Sequence, residues 1–335
     1  MKSQLLLIMC LGNIAQAMEP LGNVSYEVSV GIASHIGNRD YQEDRANFGR
    51  FEVAGKHYHY AMVCDGHGGD KVSTFVTRHL PGMVQKQLES SNINKALLEA
   101  FSLCEARIIR KQTIGTIQPG TTVVFSLVDL AGRKRYVANL GDSRMYLYRE
   151  GSSLRMTQDH HVGLQSEQAY IKKHKGAIQN GYVVLPESPE LGGIQVTRAL
   201  GDCHMKSVVI TDENGQDTYG PVNPVPKIYS IDYEESAIEL LVSDGFTKEV
   251  KNNQFNDLMV DVLTMSSDEF YTEYAHNYGK KGSNMALDVP IEECQGTDDR
   301  HKEIARRLVY AIRHVNDTEA DLDNVTVLVR SLLYK

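Results

Sequence analysis

Apolar and polar positions begin to alternate at Tyr26, where Tyr-Glu-Val-Ser-Val-Gly-Ile-Ala has the two-residue period of a half-buried strand. A polar turn over Gly37 to Asp40 separates it from a second strand near Ala46 to Val53. The run His57 to Asp65 grows steadily more apolar and stops at Gly66, the pattern of a buried strand with an acid at its tip. Helical spacing follows over Lys71 to Leu88 and Asn94 to Thr113, with a break expected at Pro81 and a Ser-Ser-Asn turn able to cap the second helix. Thr121 to Asp129, Arg133 to Leu140 and Arg144 to Arg149 are short β-rich runs separated by Ala-Gly and Gly-Asp-Ser turns, and they read as one antiparallel meander.

Between Val162 and Gly193 the pattern weakens into a helix-like piece and a Gly/Pro-containing loop, a candidate flap. Strand character returns at Ile194 to Ala199, Lys227 to Asp232 and Ile238 to Ser243. Helices are expected near Asn252 to Met265 and His301 to His314, with a polar, aperiodic insert over Ser266 to Asp299 between them and a terminal strand over Val325 to Leu333. Grouped strands with helical pairs between and after them predict an α+β chain in which sheets pack together with helices outside, not a βαβ parallel sheet.

At 335 residues and 41% hydrophobic, the chain can bury a sizeable core. Its formal net charge of −8 and the absence of a long Lys/Arg run argue against a nucleic-acid partner. The five cysteines are scattered without a CxxC pair, which excludes a zinc knuckle and a dense disulfide framework. Lys2, the apolar stretch Leu5 to Leu11 and Ala15-Gln-Ala17 fit a cleaved export signal, and equally a buried N-terminal helix. The chain is therefore expected to be cytoplasmic, or exported if residues 1–17 are removed. No later segment reads as membrane-spanning.

Candidate chemistry lies in the acids. Asp65-Gly66 and Asp244-Gly245 each follow an apolar run, so each carboxylate is delivered to the end of a rigid strand. Either alone is an ordinary turn signal. Asp323-Asn324 opens the last strand and Glu43-Asp44 follows the first turn. Four strand-end acids meeting at one edge could hold two hard divalent cations through oxygen ligands and clamp an in-line phosphoryl displacement. Arg39 is placed to orient the phosphate through its planar fork.

These residues carry a resemblance. GNRDYQEDR (Gly37 to Arg45), VCDGHGG (Val63 to Gly69), PGTTVV (Pro119 to Val124), ANLGDSRMYLY (Ala138 to Tyr148), TQDH (Thr157 to His160), GGIQVTRALGD (Gly192 to Asp202), LLVSDGF (Leu240 to Phe246) and DNVTVLV (Asp323 to Val329) occur in one order along the chain. In that order the sequence resembles the metal-dependent Ser/Thr phosphatases of the protein phosphatase 2C type.

The resemblance implies a four-layer α-β-β-α sandwich, with an N-terminal segment 1–24 ahead of a catalytic domain 25–335. It implies two Mn²⁺ or Mg²⁺ ions held by Asp65, the Gly66 carbonyl, Asp244 and Asp323, with Glu43 acting through water and Asp44 close by. Arg39 would hold the substrate phosphate, and His67 would protonate the leaving alkoxide. Cys64 reads as a buried thiol, not a nucleophile. Asp159 matches a residue that helps hold a third metal in some bacterial members, but Lys248 stands where its partner acid would be, so a third site is expected to be weak or absent. A monomer acting on phosphoprotein substrates, without stable membrane insertion, is the expected setting; the alternative is a catalytically weak binding module on the same fold.

Overall fold

Strand alternation resolves into two antiparallel sheets stacked face to face in a computed structural model. It describes residues 19–21, 24–111, 118–206, 210–211, 217–218, 220–232, 237–276, 293–315 and 323–334. The main strands are β1 (Val24–His35), β2 (Arg45–Val53), β3 (Lys56–Cys64), β4 (Val123–Asp129), β5 (Lys134–Leu140) and β6 (Arg144–Arg149). They continue as β7 (Ser152–Arg155), β8 (Lys227–Asp232), β9 (Ile238–Val242), β10 (Glu293–Gly296) and β11 (Val325–Tyr334). One sheet has seven strands: β1, β11, β9, β6 and β7 run side by side, and β10 and Glu19–Leu21 both pair with β1. The other has five, in the order β8-β5-β4-β3-β2.

The two-residue period of the sequence sorts side chains into three cores. Val30, Ile32, Ala61, Val63, Val124, Val137, Met145, Leu147, Leu241 and Leu328 fill the space between the sheets. Their neighbours Met62, Cys64, Val123, Phe125 and Leu127 turn outward under α1 (Lys71–Leu88) and α2 (Ile93–Ile109). On the opposite side, Tyr146, Tyr148, Leu240, Val242, Val327 and Val329 face four further helices. With α3 (Gln165–Lys173) in the flap, these are α4 (Asp244–Glu249), α5 (Asn252–Thr264), α6 (Ser267–His276) and α7 (Asp299–Val315). The result is the four-layer α-β-β-α sandwich expected from the resemblance.

Several local expectations need correction. Pro81 does not break α1, which runs unbroken from Lys71 to Leu88. Proline cannot donate to the carbonyl of Thr77, four residues back, but Asn47 Nδ2 does so at 2.8 Å, so the orphaned acceptor is satisfied. The Asn92 side chain caps α2 by accepting from the Lys95 amide, as the Ser-Ser-Asn turn suggests. The expected meander stops after two strands. β4 pairs with β5, but β6 joins β9 in the other sheet, and Gly141-Asp142-Ser143 is the corner where the chain changes sheet. Gly141 has φ +105°, and a side chain there would strike Thr122, so the corner demands glycine.

The polar insert is also not a plain loop. Its first part is α6, where Phe270 is fully buried and stacks on Tyr274 at 4.4 Å; its last part is β10, which extends the sheet along β1. Residues 277–292 of the insert and residues 1–17 lie outside the described residues.

Candidate metal and phosphate site

Four chain connections meet at one end of the sandwich. Asp65 follows β3, Asp142 sits in the corner between β5 and β6, Asp244 follows β9 and opens α4, and Asp323 precedes β11. The pairs Val63 with Val124, Val123 with Leu140, Val242 with Arg144 and Val242 with Val327 place all four at the same end. Each carboxylate is therefore fixed by a core strand that cannot shift without breaking its ladder.

The backbone around Asp65 is held closely. Its carbonyl accepts from Thr121 Oγ1 and from the Thr122 amide, both at 2.9 Å, and Thr122 Oγ1 lies 2.7 Å from Ser143 Oγ. The PGTTVV and GDSR stretches thus brace the acid from below, as the sequence suggests. Gly66 lies where a Cβ would come within 2.6 Å of the Glu43 carbonyl, so only glycine fits beside the Glu43 turn. That turn is fastened by Asn324, whose Oδ1 accepts from the Glu43 amide at 2.7 Å and whose Nδ2 donates to the Ile36 carbonyl at 2.7 Å. The Glu43 carboxylate accepts from the Gly69 amide.

These connections line a cleft of about 390 Å³. Arg39, Glu43, Asp65, Gly66, His67, Asp244 and Asp323 all border it. Asp44 does not; it is buried beneath the floor, 3% exposed. Two cleft acids, Asp142 and Asp202, were missed in the sequence, and carboxylate oxygens of Asp65, Asp142 and Asp244 lie within 4.8 Å of one another. The available signal was that Asp142 follows a buried strand just as Asp65 does, but Gly-Asp-Ser reads first as a turn. Asp323 is tied to this group through cations. Lys248 Nζ lies 2.6 Å from Asp244 Oδ2 and 2.8 Å from Asp323 Oδ2, and Arg39 Nη2 lies 3.0 Å from Asp323 Oδ1. Asp159, which the resemblance linked to a third metal, is turned aside: Arg144 holds it at 2.7 Å and Arg155 grips its other oxygen.

Crowded carboxylates pay electrostatically. Removal from water, then the charges of Asp244, Asp44 and Asp142, pushes the Asp65 carboxyl well above the usual range. Burial first, then Asp244 and Asp159, raises Asp142 to about 7. Neither oxygen of Asp44 has a hydrogen bond of ordinary geometry. Burial dominates there, the Ser243 and Thr326 hydroxyls offset it only in part, and Asp244 and Asp323 add repulsion, so the carboxyl rises to about 7. Crowded carboxylates that Lys248 and Arg39 relieve only in part form an all-oxygen donor set that fits hard divalent cations such as Mn²⁺ or Mg²⁺.

His67 Nε2 lies 2.8 Å and 2.9 Å from the two oxygens of Asp202, which is fully buried and was not singled out in the sequence. Burial alone would lower the imidazole, but Asp202 outweighs it and the net shift is upward. Cys64 lies wholly in the core with its thiol pushed well up by burial, as expected of a packing residue.

An acid cluster at the end of a four-layer sandwich offers hard oxygen ligands on rigid strand ends. Residues 33–284 match the protein phosphatase 2C family, and the chain belongs to that family. It is 29% identical over 226 residues to "Probable protein phosphatase 2C 27" of Oryza sativa subsp. japonica, covering 64% of this chain and 60% of that protein. With "Protein phosphatase 1K, mitochondrial" of Xenopus laevis it shares 26% over 283 residues, covering 82% and 69%. The match to "Probable protein phosphatase 2C 22" of Arabidopsis thaliana, 30% identical, spans 55% of that relative's length. Among solved structures, a phosphatase from Toxoplasma gondii shares the fold at TM-score 0.63 and 18% identity, over 92% of this chain and 99% of that one. A Caenorhabditis elegans sex-determining protein does so at TM-score 0.61 and 20% identity, over 90% and 64%.

Proposed function

We propose that the protein hydrolyses phosphoserine and phosphothreonine monoesters in phosphoproteins, acting as a monomer with two Mn²⁺ or Mg²⁺ ions. Asp65, the Gly66 carbonyl, Asp244 and Asp323 would hold the ions, with Glu43 at their edge and Asp44 beneath. The observation that carries this reading is that carboxylate oxygens of Asp65, Asp142 and Asp244 lie within 4.8 Å of one another in the cleft, near enough to share an ion. When bound, such ions polarise phosphoryl oxygens and bring water toward ionisation near neutral pH.

The chain's own residues supply the rest. Arg39 is 45% exposed on its side chain and paired with Asp323, so its guanidinium can exchange that carboxylate for a substrate phosphate and fix it by two parallel hydrogen bonds. As a water oxygen bonds to phosphorus and the ester P–O bond breaks, His67 delivers a proton to the departing alkoxide. Asp202 keeps that proton on the imidazole until it is needed. Ile194 and Val196, which follow the flap, wall the cleft with apolar surface that limits stray water.

Hydrolysis of a phosphothreonine peptide with Mn²⁺, repeated with EDTA and with Asp244→Ala, tests the reading. Turnover should vanish in both controls. Activity that survives chelation would overturn the mechanism.

A further inference from the structure

A second cavity of about 540 Å³ opens beside the cleft and shares Gly68 and Gln118 with it as walls. Its sides come from α1 and the end of α2, with Lys71 and Phe75 on one and Ile108 and Lys111 on the other. Lys111 Nζ lies 4.7 Å from the Phe75 ring centroid. Asp70 also lines the groove, but Arg45 pairs with it at 2.5 Å and neutralises its charge.

The surroundings are cationic in a chain whose net charge is −8. Lys71, Arg78, Arg107 and Lys111 are all exposed. His79 packs 4.5 Å from the Phe75 ring, and its imidazole is held below the ordinary range by partial burial and then by Lys111, Arg78 and Arg107. A groove that joins lysine ammonium groups to an aromatic and an aliphatic floor suits side chains with an apolar stem and an anionic head. Continuity with the cleft through Gly68 means one extended peptide can lie in both.

We propose that this groove receives an acidic stretch of the phosphoprotein, flanking the phosphorylated residue, with Asp or Glu carboxylates meeting Lys71 and Lys111 and their stems packing on Phe75 and Ile108. The proposal rests on the phosphatase reading of the cleft and deepens it to a substrate class. Lys71 and Lys111 act on the flanking chain and take no part in the chemistry.

The test compares two phosphothreonine peptides of equal length, one flanked by Glu and the other by Gln, with the wild type and with Lys71→Glu/Lys111→Glu. Wild-type kcat/KM should favour the Glu peptide by roughly two- to tenfold, the scale of one or two screened ion pairs. The double variant should lose or invert that preference while p-nitrophenyl phosphate turnover stays unchanged. Binding of a labelled, unphosphorylated Glu peptide in EDTA, followed by fluorescence anisotropy, reads the groove without catalysis. It should weaken severalfold in the double variant and with added salt. Equal binding of the Glu and Gln peptides, or a preference that persists in the double variant, overturns the proposal. Loss of all hydrolysis with selective peptide binding intact would instead refute the catalytic reading and leave the groove assignment standing.

Discussion

Lys248 Nζ lies 2.6 Å from Asp244 Oδ2. The ammonium also contacts Asp323, so one tethered cation serves two acids that the functional reading assigns to metal binding. Burial on its own would lower the lysine, but the two carboxylates outweigh it and hold the side chain firmly protonated. A fixed positive charge there opposes a further divalent ion and partly screens the acids in the metal-free protein. Lys248→Asp should therefore raise the number or affinity of Mn²⁺ ions in calorimetric titration and lower the melting temperature in EDTA. The side chain is 47% exposed, so solvent screening keeps the stability loss to about 1 kcal/mol or less. An unchanged isotherm would contradict the role.

Asp44 predicts a pH signature. Its carboxyl is raised to about 7, so in the metal-free protein the folded state binds more protons than the unfolded state above pH ~4. Stability should fall as pH rises toward 7 and stay low beyond it. Asp142 acts in the same direction. His59, His79, His160 and His204 are depressed and oppose this trend, but only below about 6.5, where the unfolded imidazoles take up protons. Asp65 and His67 are raised too and add to the fall, so between pH ~6.5 and 8, in EDTA, the Asp44 share is read as the difference between wild type and Asp44→Asn. Asp44→Asn should stabilise the metal-free protein at pH 8 by an amount on the order of a few kcal/mol, with the gain shrinking toward pH 6. Thermal melts of both proteins across that window would expose a constant difference if the idea is wrong.

Asp202 and His67 make a kinetic prediction. The raised imidazole retains its proton to higher pH, and activity that needs this proton is lost as pH climbs through the folded pKa. Asp202→Asn keeps a residue type that tolerates the left-handed backbone found there, φ +51°, while removing the charge. The alkaline limb of the kcat profile should move to lower pH. A profile that only scales down, without moving, would assign Asp202 a purely structural part.

The Asn47 bond to the Thr77 carbonyl explains why α1 passes through Pro81. Asn47→Ala should cost about 1–3 kcal/mol by leaving a helix acceptor unpaired. In a Pro81→Ala background the new amide can supply the missing donor, so the same substitution should cost clearly less. Additive urea-denaturation values for the two changes would count against this coupling.

Much of the site was legible because its signals are short and local. Asp65, Asp244 and Asp323 each adjoin a strand whose alternation is visible in the chain, and the structure delivers all three to the cleft. Asp142 was illegible because the Gly-Asp-Ser corner gains its meaning only when the chain changes sheets. Asp202 was passed over because its partner His67 lies 135 residues away. For Asp159 the sequence foresaw a weak or absent third site on the ground of Lys248 alone, and the structure adds that Arg144 and Arg155 claim its carboxylate. The helix α6 escaped notice because ten polar-rich residues give a weak period, and the burial of Phe270 against α5 and α7 decides it.

The sequence by itself determined the strands, most of the helices and the identity of the acids, since alternation and turn chemistry act over a few neighbouring residues. Tertiary structure alone decided which strand ends share a corner, which cations stand between the acids and which carboxyls are lifted toward neutrality. Those outcomes depend on distances between groups far apart in the chain, and both Coulomb repulsion and desolvation are set by such distances.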